Sequence, residues 1–158
     1  MTLKKLLNFA QEIGTIMYVG GILSHIVIGI NLGHSDASTA FNVYTYKEIS
    51  AYILILPGLA IKVISDLILY SNYEVKPNWL KIKLGLMAFL ALNAFVFLVP
   101  MMPELVEMAK QSLPSGEVSQ AFIDRTETEA LIGMSNVIPL VLEIVLGSFK
   151  PKLGNERN

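Results

Sequence analysis

Apolar residues along the chain gather into four long runs, separated by stretches that are distinctly polar. The runs fall at about 6–30, 49–70, 79–99 and 130–149. Each holds about 20 residues or more, which at about 1.5 Å of rise per residue matches a hydrocarbon core about 30 Å thick. Lipid offers no water to the backbone, so each run must satisfy its own amides and carbonyls as a helix. The period-two alternation of a barrel strand is absent. The expectation is an all-α integral membrane four-helix bundle, one transmembrane domain over residues 1–158.

The polar stretches differ in character. Residues 31–48 read as a loop carrying His34 and Asp36. Residues 100–129 are longer and acidic, with Glu104, Glu107, Glu117, Asp124, Glu127 and Glu129. Within them, PELVEMAKQSL places leucine, valine and methionine at helical spacing. That pattern predicts a short amphipathic helix at about 103–113, or a continuation of the third helix past Pro100. Leu113-Pro114-Ser115-Gly116 reads as a turn. Pro57 and Pro139 lie inside the second and fourth runs and predict kinks, each freeing a carbonyl. Gly14, Gly20, Gly21 and Ser24 thin one face of the first helix, and Gly29 with Gly33 forms a weak G-x-x-x-G.

Charge sets an expected orientation. Lys4, Lys5, Lys76, Lys81, Lys83, Lys150, Lys152 and Arg157 fall on one side of the four runs. Lys47, Lys110 and Arg125 fall on the other. The positive-inside rule then puts both termini in the cytoplasm of a multi-pass protein of the cell inner (plasma) membrane. Trp79, Tyr70 and Tyr73 stand where the inner aromatic belt belongs, and Tyr44, Tyr46 and Tyr52 near the outer one. The first run superficially resembles a signal peptide. Gln11 and Glu12 interrupt it and no A-x-A-like site follows, so it reads as a retained helix.

Composition narrows the chemistry. Charged residues make up 16% of the chain, against about 25% in soluble domains. A net charge of −1 argues against a nucleic-acid partner. The absence of cysteine removes disulfides, thiolate catalysis and cysteine-ligated metal or iron–sulfur sites. No G-x-S-x-G, phosphate loop or H-E-x-x-H motif occurs.

What remains is two polar layers. Glu12, Lys62, Asp66 and Glu143, with Lys83 entering from the same side, fall at similar depth in the inner half. Lys62 and Asp66 are four apart and share a helix face. A charge facing lipid costs about 2.5–3.5 kcal/mol on insertion scales, so these groups should turn inward and pair. They read either as a proton, ion or ligand site or as an ion-pair network fixing helix register. Lys83 by itself reads as a side chain snorkelling to the headgroups. The outer layer is His25, Asn93 and Asn136, expected to hydrogen-bond one another across helices. His25 and His34 are nine apart, near opposite helix faces, so one haem could not be clamped by both. His25 with Met101 or Met102 is the remaining haem or metal candidate. The methionines Met17, Met87, Met101, Met102, Met108 and Met134 show no M-x-x-M array and read as core filling.

Four stretches taken together resemble a known group: IGTIMYVGGIL, ILPGLAIKVI, NWLKIKLGLMAFLALNA and NVIPLVLEIVLGSFKP. In that order they resemble the superfamily of small bacterial membrane proteins that includes the four-helix protoporphyrinogen oxidase, the copper resistance protein D domain and predicted integral membrane proteins of unknown function. Trp79, Lys83, Asn136, Pro139 and Lys150-Pro151 match its pattern. The resemblance implies a four-helix membrane scaffold and, for the oxidase members, haem held by histidines in helices 1 and 3. It puts Gln11 where the helix 1 histidine belongs and Asn93-Ala94 where a Tyr-His pair belongs. The arginine expected after the helix 1 glycine falls near Val27. The resemblance therefore implies a retained scaffold with lost haem ligands, in the uncharacterised branch.

The sequence-based expectation is a membrane protein whose buried polar layer binds or relays a small ligand or proton, or supports a partner. It has no resident cofactor, and its surroundings are the bilayer and a second copy or another membrane protein. A haem- or porphyrin-linked membrane oxidoreductase is the alternative, and copper handling the second.

Overall fold

The computed structural model describes residues 3–32 and 36–153, the side chain of Lys4 excepted. His34 and Gly33 lie outside the described residues, as does Arg157. The described residues form four long helices and no strands: α1 (Leu3–Leu32), α2 (Ala37–Ser71), α3 (Asn78–Ser112) and α4 (Gln120–Phe149). All four are long and apolar enough to cross a membrane.

Three helices extend well beyond the apolar runs. The polar stretch expected as a loop over 31–48 is helical from Ala37, because Asp36 caps that helix and its carboxylate accepts from the Ser38 and Thr39 amides. Helix α3 does not stop at 99, and the expected amphipathic helix at 103–113 is its continuation to Ser112. Helix α4 begins ten residues earlier than the apolar run, where the Ser119 hydroxyl accepts from the Phe122 amide. Apolar length marks the part of a helix that suits lipid, whereas caps mark where the helix ends.

Two prolines reshape their helices in the same way. Pro57 follows a wide π turn over Ala51–Ile55, and Pro100 follows another over Ala94–Leu98. In each turn an amide reaches back five residues, Leu56 to Ala51 and Val99 to Ala94. A proline cannot donate and its ring presses on the carbonyl four residues back, so widening one turn absorbs the misfit. Ahead of Pro139 the break takes another form: the helix is interrupted at Asn136, whose amide reaches Gly133.

Packing is antiparallel. Helix α1 lies along the second half of α2, the first half of α2 along the second half of α3, and the first half of α3 along the last turns of α4. Helices α1 and α2 approach closely, so that a methyl on Gly14 would lie 2.8 Å from the Gly58 carbonyl oxygen. Gly21 is likewise closed by Ile55, whereas Gly20 has nothing within 4 Å. One core cluster gathers Tyr18, Leu59, Met87, Leu90 and Leu140 near mid-height. Another joins Tyr44, Met101, Met102, Leu105 and Phe122 toward the far end, opposite the termini. The outer faces are apolar and bare, with Ile16, Ile30, Leu131 and Ile138 each more than 60% exposed.

Candidate functional site

Four charged side chains meet in the half of the bundle nearest the termini. Lys62, Asp66, Lys83 and Glu143 are each under 5% exposed. Lys62 Nζ stands 3.0 Å from Glu143 Oε2. Lys83 Nζ stands 2.8 Å from Asp66 Oδ1 and 3.4 Å from Glu143 Oε1. The quartet is electroneutral, two ammonium groups against two carboxylates, drawn from α2, α3 and α4. Helix α1 completes it with uncharged groups. Thr15 Oγ1 donates to the Gln11 carbonyl and so accepts from Lys62 Nζ at 2.7 Å. Gln11 Nε2 donates to Asp66 Oδ1.

Two of the expected roles change. Glu12 is exposed and does not join the layer. It is adjacent to Gln11, and on a helix neighbours are turned about 100° apart, so only one of them faces the quartet. Lys83 does not snorkel. It is turned into the bundle, where a methyl on Gly147 would lie 3.3 Å from its Nζ.

The outer layer also rearranges. Asn93 Nδ2 donates to Asn136 Oδ1 at 2.7 Å, joining α3 to the break in α4. His25 does not bond the asparagines. Its Nε2 lies 2.6 Å from Ser50 Oγ on α2, and its ring sits 6.5 Å from that of Tyr46. Beside it stands an ion pair that the hydropathy pattern does not reveal. Lys47 Nζ lies 2.6 Å from both carboxylate oxygens of Glu129 and 4.5 Å above the Tyr44 ring, whose hydroxyl also donates to Glu129. By hydropathy alone Lys47 and Glu129 fall in loops, and Tyr44 in an interfacial belt. Each instead lies on an extended helix and faces inward. The Asp36 and Ser119 caps are the sequence signals that could have placed them there.

These groups surround a cavity of about 440 Å³ bounded by all four helices. Tyr18, His25, Tyr44, Lys47, Thr126, Glu129 and Asn136 are its polar lining residues, and the rest of the lining is aliphatic side chains, methionine and glycine. The exposed lining residues are Ile26 and Ile30 on α1 and Ala130, Met134 and Val137 on α4. The lining residues of α2 and α3 are buried or half-buried. The mouth therefore lies between α1 and α4 and opens sideways. Tyr18 lines the cavity and is at the same time part of the mid-height core cluster.

The residues fit a haem or metal poorly. His25 has Nε2 engaged by Ser50, Met102 lines the cavity, and Met101 packs into the far-end core cluster instead. Among the described residues no group of three or more histidine, aspartate or glutamate side chains stands at ligating spacing. Gln11, where the resemblance expects the helix 1 histidine, is hydrogen-bonded to Asp66, and of the pair at the Tyr-His positions Asn93 is bonded to Asn136 while Ala94, in the histidine's place, has no ligating group. No family model, curated protein or solved structure matches the chain.

Proposed function

We propose that the protein is a multi-pass plasma-membrane protein, with both termini in the cytoplasm, that binds a small uncharged amphiphile in the cavity between α1 and α4. The observation that carries this reading is the cavity itself. Its volume lies in the range of about 300–1,000 Å³ usual for ligand pockets, and its lining combines apolar walls with a few convergent polar groups. Lys47 is already neutralised by Glu129, so the site has no spare charge with which to favour an ionic head. Its polar atoms instead suit a carbonyl or hydroxyl group. A sideways mouth between bare apolar helix faces suits a molecule that arrives through the lipid.

The orientation rests on lysine distribution. Lys83 and Lys47 are inside the bundle and no longer count. Lys5, Lys76, Lys81, Lys150 and Lys152 still outweigh Lys110 and Arg125, which supports the termini inside.

The chain has no cysteine, so single-cysteine labelling tests the orientation directly. Ser115→Cys should react with an impermeant maleimide on intact cells, and Asn72→Cys only after permeabilisation. Solvent extraction and mass spectrometry of the purified protein test the binding. The expected result is a neutral amphiphile retained by the native chain and lost from Gly133→Phe, which fills the cavity. A Soret band in the purified protein would displace this reading in favour of the haem-linked alternative.

A further inference from the structure

The charged quartet has a feature that pairing does not explain. Asp66 is fully buried. Both donors that reach it, Gln11 Nε2 and Lys83 Nζ, converge on Oδ1. Oδ2 is buried and has no hydrogen-bond partner among the described residues; Glu143 Oε2 also lacks one, but has the Lys62 ammonium 3.0 Å away. A carboxylate shares its charge between both oxygens, so a network built only to lock charges would engage both. A carboxylic acid is different, because one oxygen goes on accepting while the other carries the proton.

The surroundings suit either form. Ionised, Asp66 keeps Lys83 at 2.8 Å but leaves Oδ2 bare. Protonated, it gives up that attraction, yet Lys83 and Lys62 both still face Glu143. The groups facing Asp66 are Gln11 from α1, Lys62 on its own helix, Lys83 from α3 and Glu143 from α4. The two lysines favour loss of the proton, and Glu143 and burial favour keeping it.

We propose that Asp66 is a proton-exchange site, taking up and releasing one proton at Oδ2 while Lys62, Lys83 and Glu143 hold the surrounding charges in place. An O–H bond forms at Oδ2 with a proton delivered from water and breaks on its return, and no electron moves. The access side is that of Gln11, where α1 is only half-buried. The proposal stands whether or not the cavity holds a ligand.

The test is an infrared pH titration of the full chain in proteoliposomes, since only a protonated carboxyl shows the acid C=O stretch. The aspartates are Asp36, Asp66 and Asp124, and the other two are exposed. In a chain carrying Asp36→Asn and Asp124→Asn, ¹³C-carboxyl aspartate marks Asp66 alone. The expected result is an isotope-shifted C=O band that comes and goes between about pH 4 and 9, a span that covers perturbed buried carboxyls. It should vanish in Asp66→Asn. No isotope-sensitive band at any pH in that span, or one that never changes, would overturn the proposal. Both outcomes are read with Asp66 in place, so they hold even if Asp66→Asn fails to fold.

Discussion

Gly14 and Gly58 face each other where α1 meets α2, and neither position has room for a side chain. A methyl on Gly14 would lie 2.8 Å from the Gly58 oxygen, and one on Gly58 would lie 2.6 Å from the Tyr18 nitrogen. Gly58→Ala should therefore force the helices apart and cost about 1–3 kcal/mol, as overpacking does. Gly20→Ala, with open space around it, should be neutral or gain up to about 1 kcal/mol from helix propensity. Thermal unfolding in detergent, compared across the two variants, checks the difference in sign.

Breaking the quartet one charge at a time should be far worse than removing a matched pair. Lys83→Met leaves Asp66 without its ammonium partner and should cost about 3–5 kcal/mol. Lys83→Met combined with Asp66→Leu removes a charge of each sign and should recover much of that loss, because buried pairs contribute little net stability over apolar packing. A double-mutant cycle on unfolding free energies measures the coupling.

The same logic applies to Lys47 and Glu129, joined across 82 positions. Glu129→Gln leaves a buried ammonium beside the Tyr44 ring and should destabilise by about 3 kcal/mol. Lys47→Met with Glu129→Gln should be milder, and it should also lower ligand retention because the polar end of the cavity is altered. Measuring stability and bound amphiphile on the same samples separates the two effects.

The cap of α2 should show its own pH dependence. The Thr39 amide and hydroxyl, with the Ser38 amide, hold the Asp36 carboxyl below its ordinary value of 3.8. A depressed pKa contributes stability above that ordinary value, and the contribution is lost as pH falls through the folded value. Protection of the Ser38 and Thr39 amides, measured against their intrinsic exchange rates, should fall as the solution is acidified past that range. Asp36→Ala should leave these amides unprotected at every pH, and Asp36→Asn should keep them protected, because asparagine caps nearly as well without ionising.

Much of this architecture is legible in the chain. Four apolar runs show where four helices suit lipid, and the cost of a lipid-facing charge is enough to turn Lys62, Asp66 and Glu143 inward into one layer. Helix length is less legible, because the outer turns of α2, α3 and α4 are amphipathic and read as loop by hydropathy alone. The same ambiguity hides Lys47, Tyr44 and Glu129. Glu12 and Gln11 differ by about 100° of helix rotation, and nothing in an uncertain helix register says which faces inward. The cavity is invisible in the sequence because it arises from a gap between α1 and α4, a property of packing rather than of any one segment.

The most direct test of the central claim is site-mapped photolabelling in proteoliposomes with a long-chain alkyl ketone bearing a diazirine near its carbonyl. The account predicts adducts concentrated on peptides containing His25 to Ile30 of α1 and Glu129 to Val137 of α4, suppressed in Gly133→Phe. Adducts spread evenly over all bare apolar faces, with Ile16 and Ile64 labelled as heavily as Met134 and with no effect of Gly133→Phe, would contradict it.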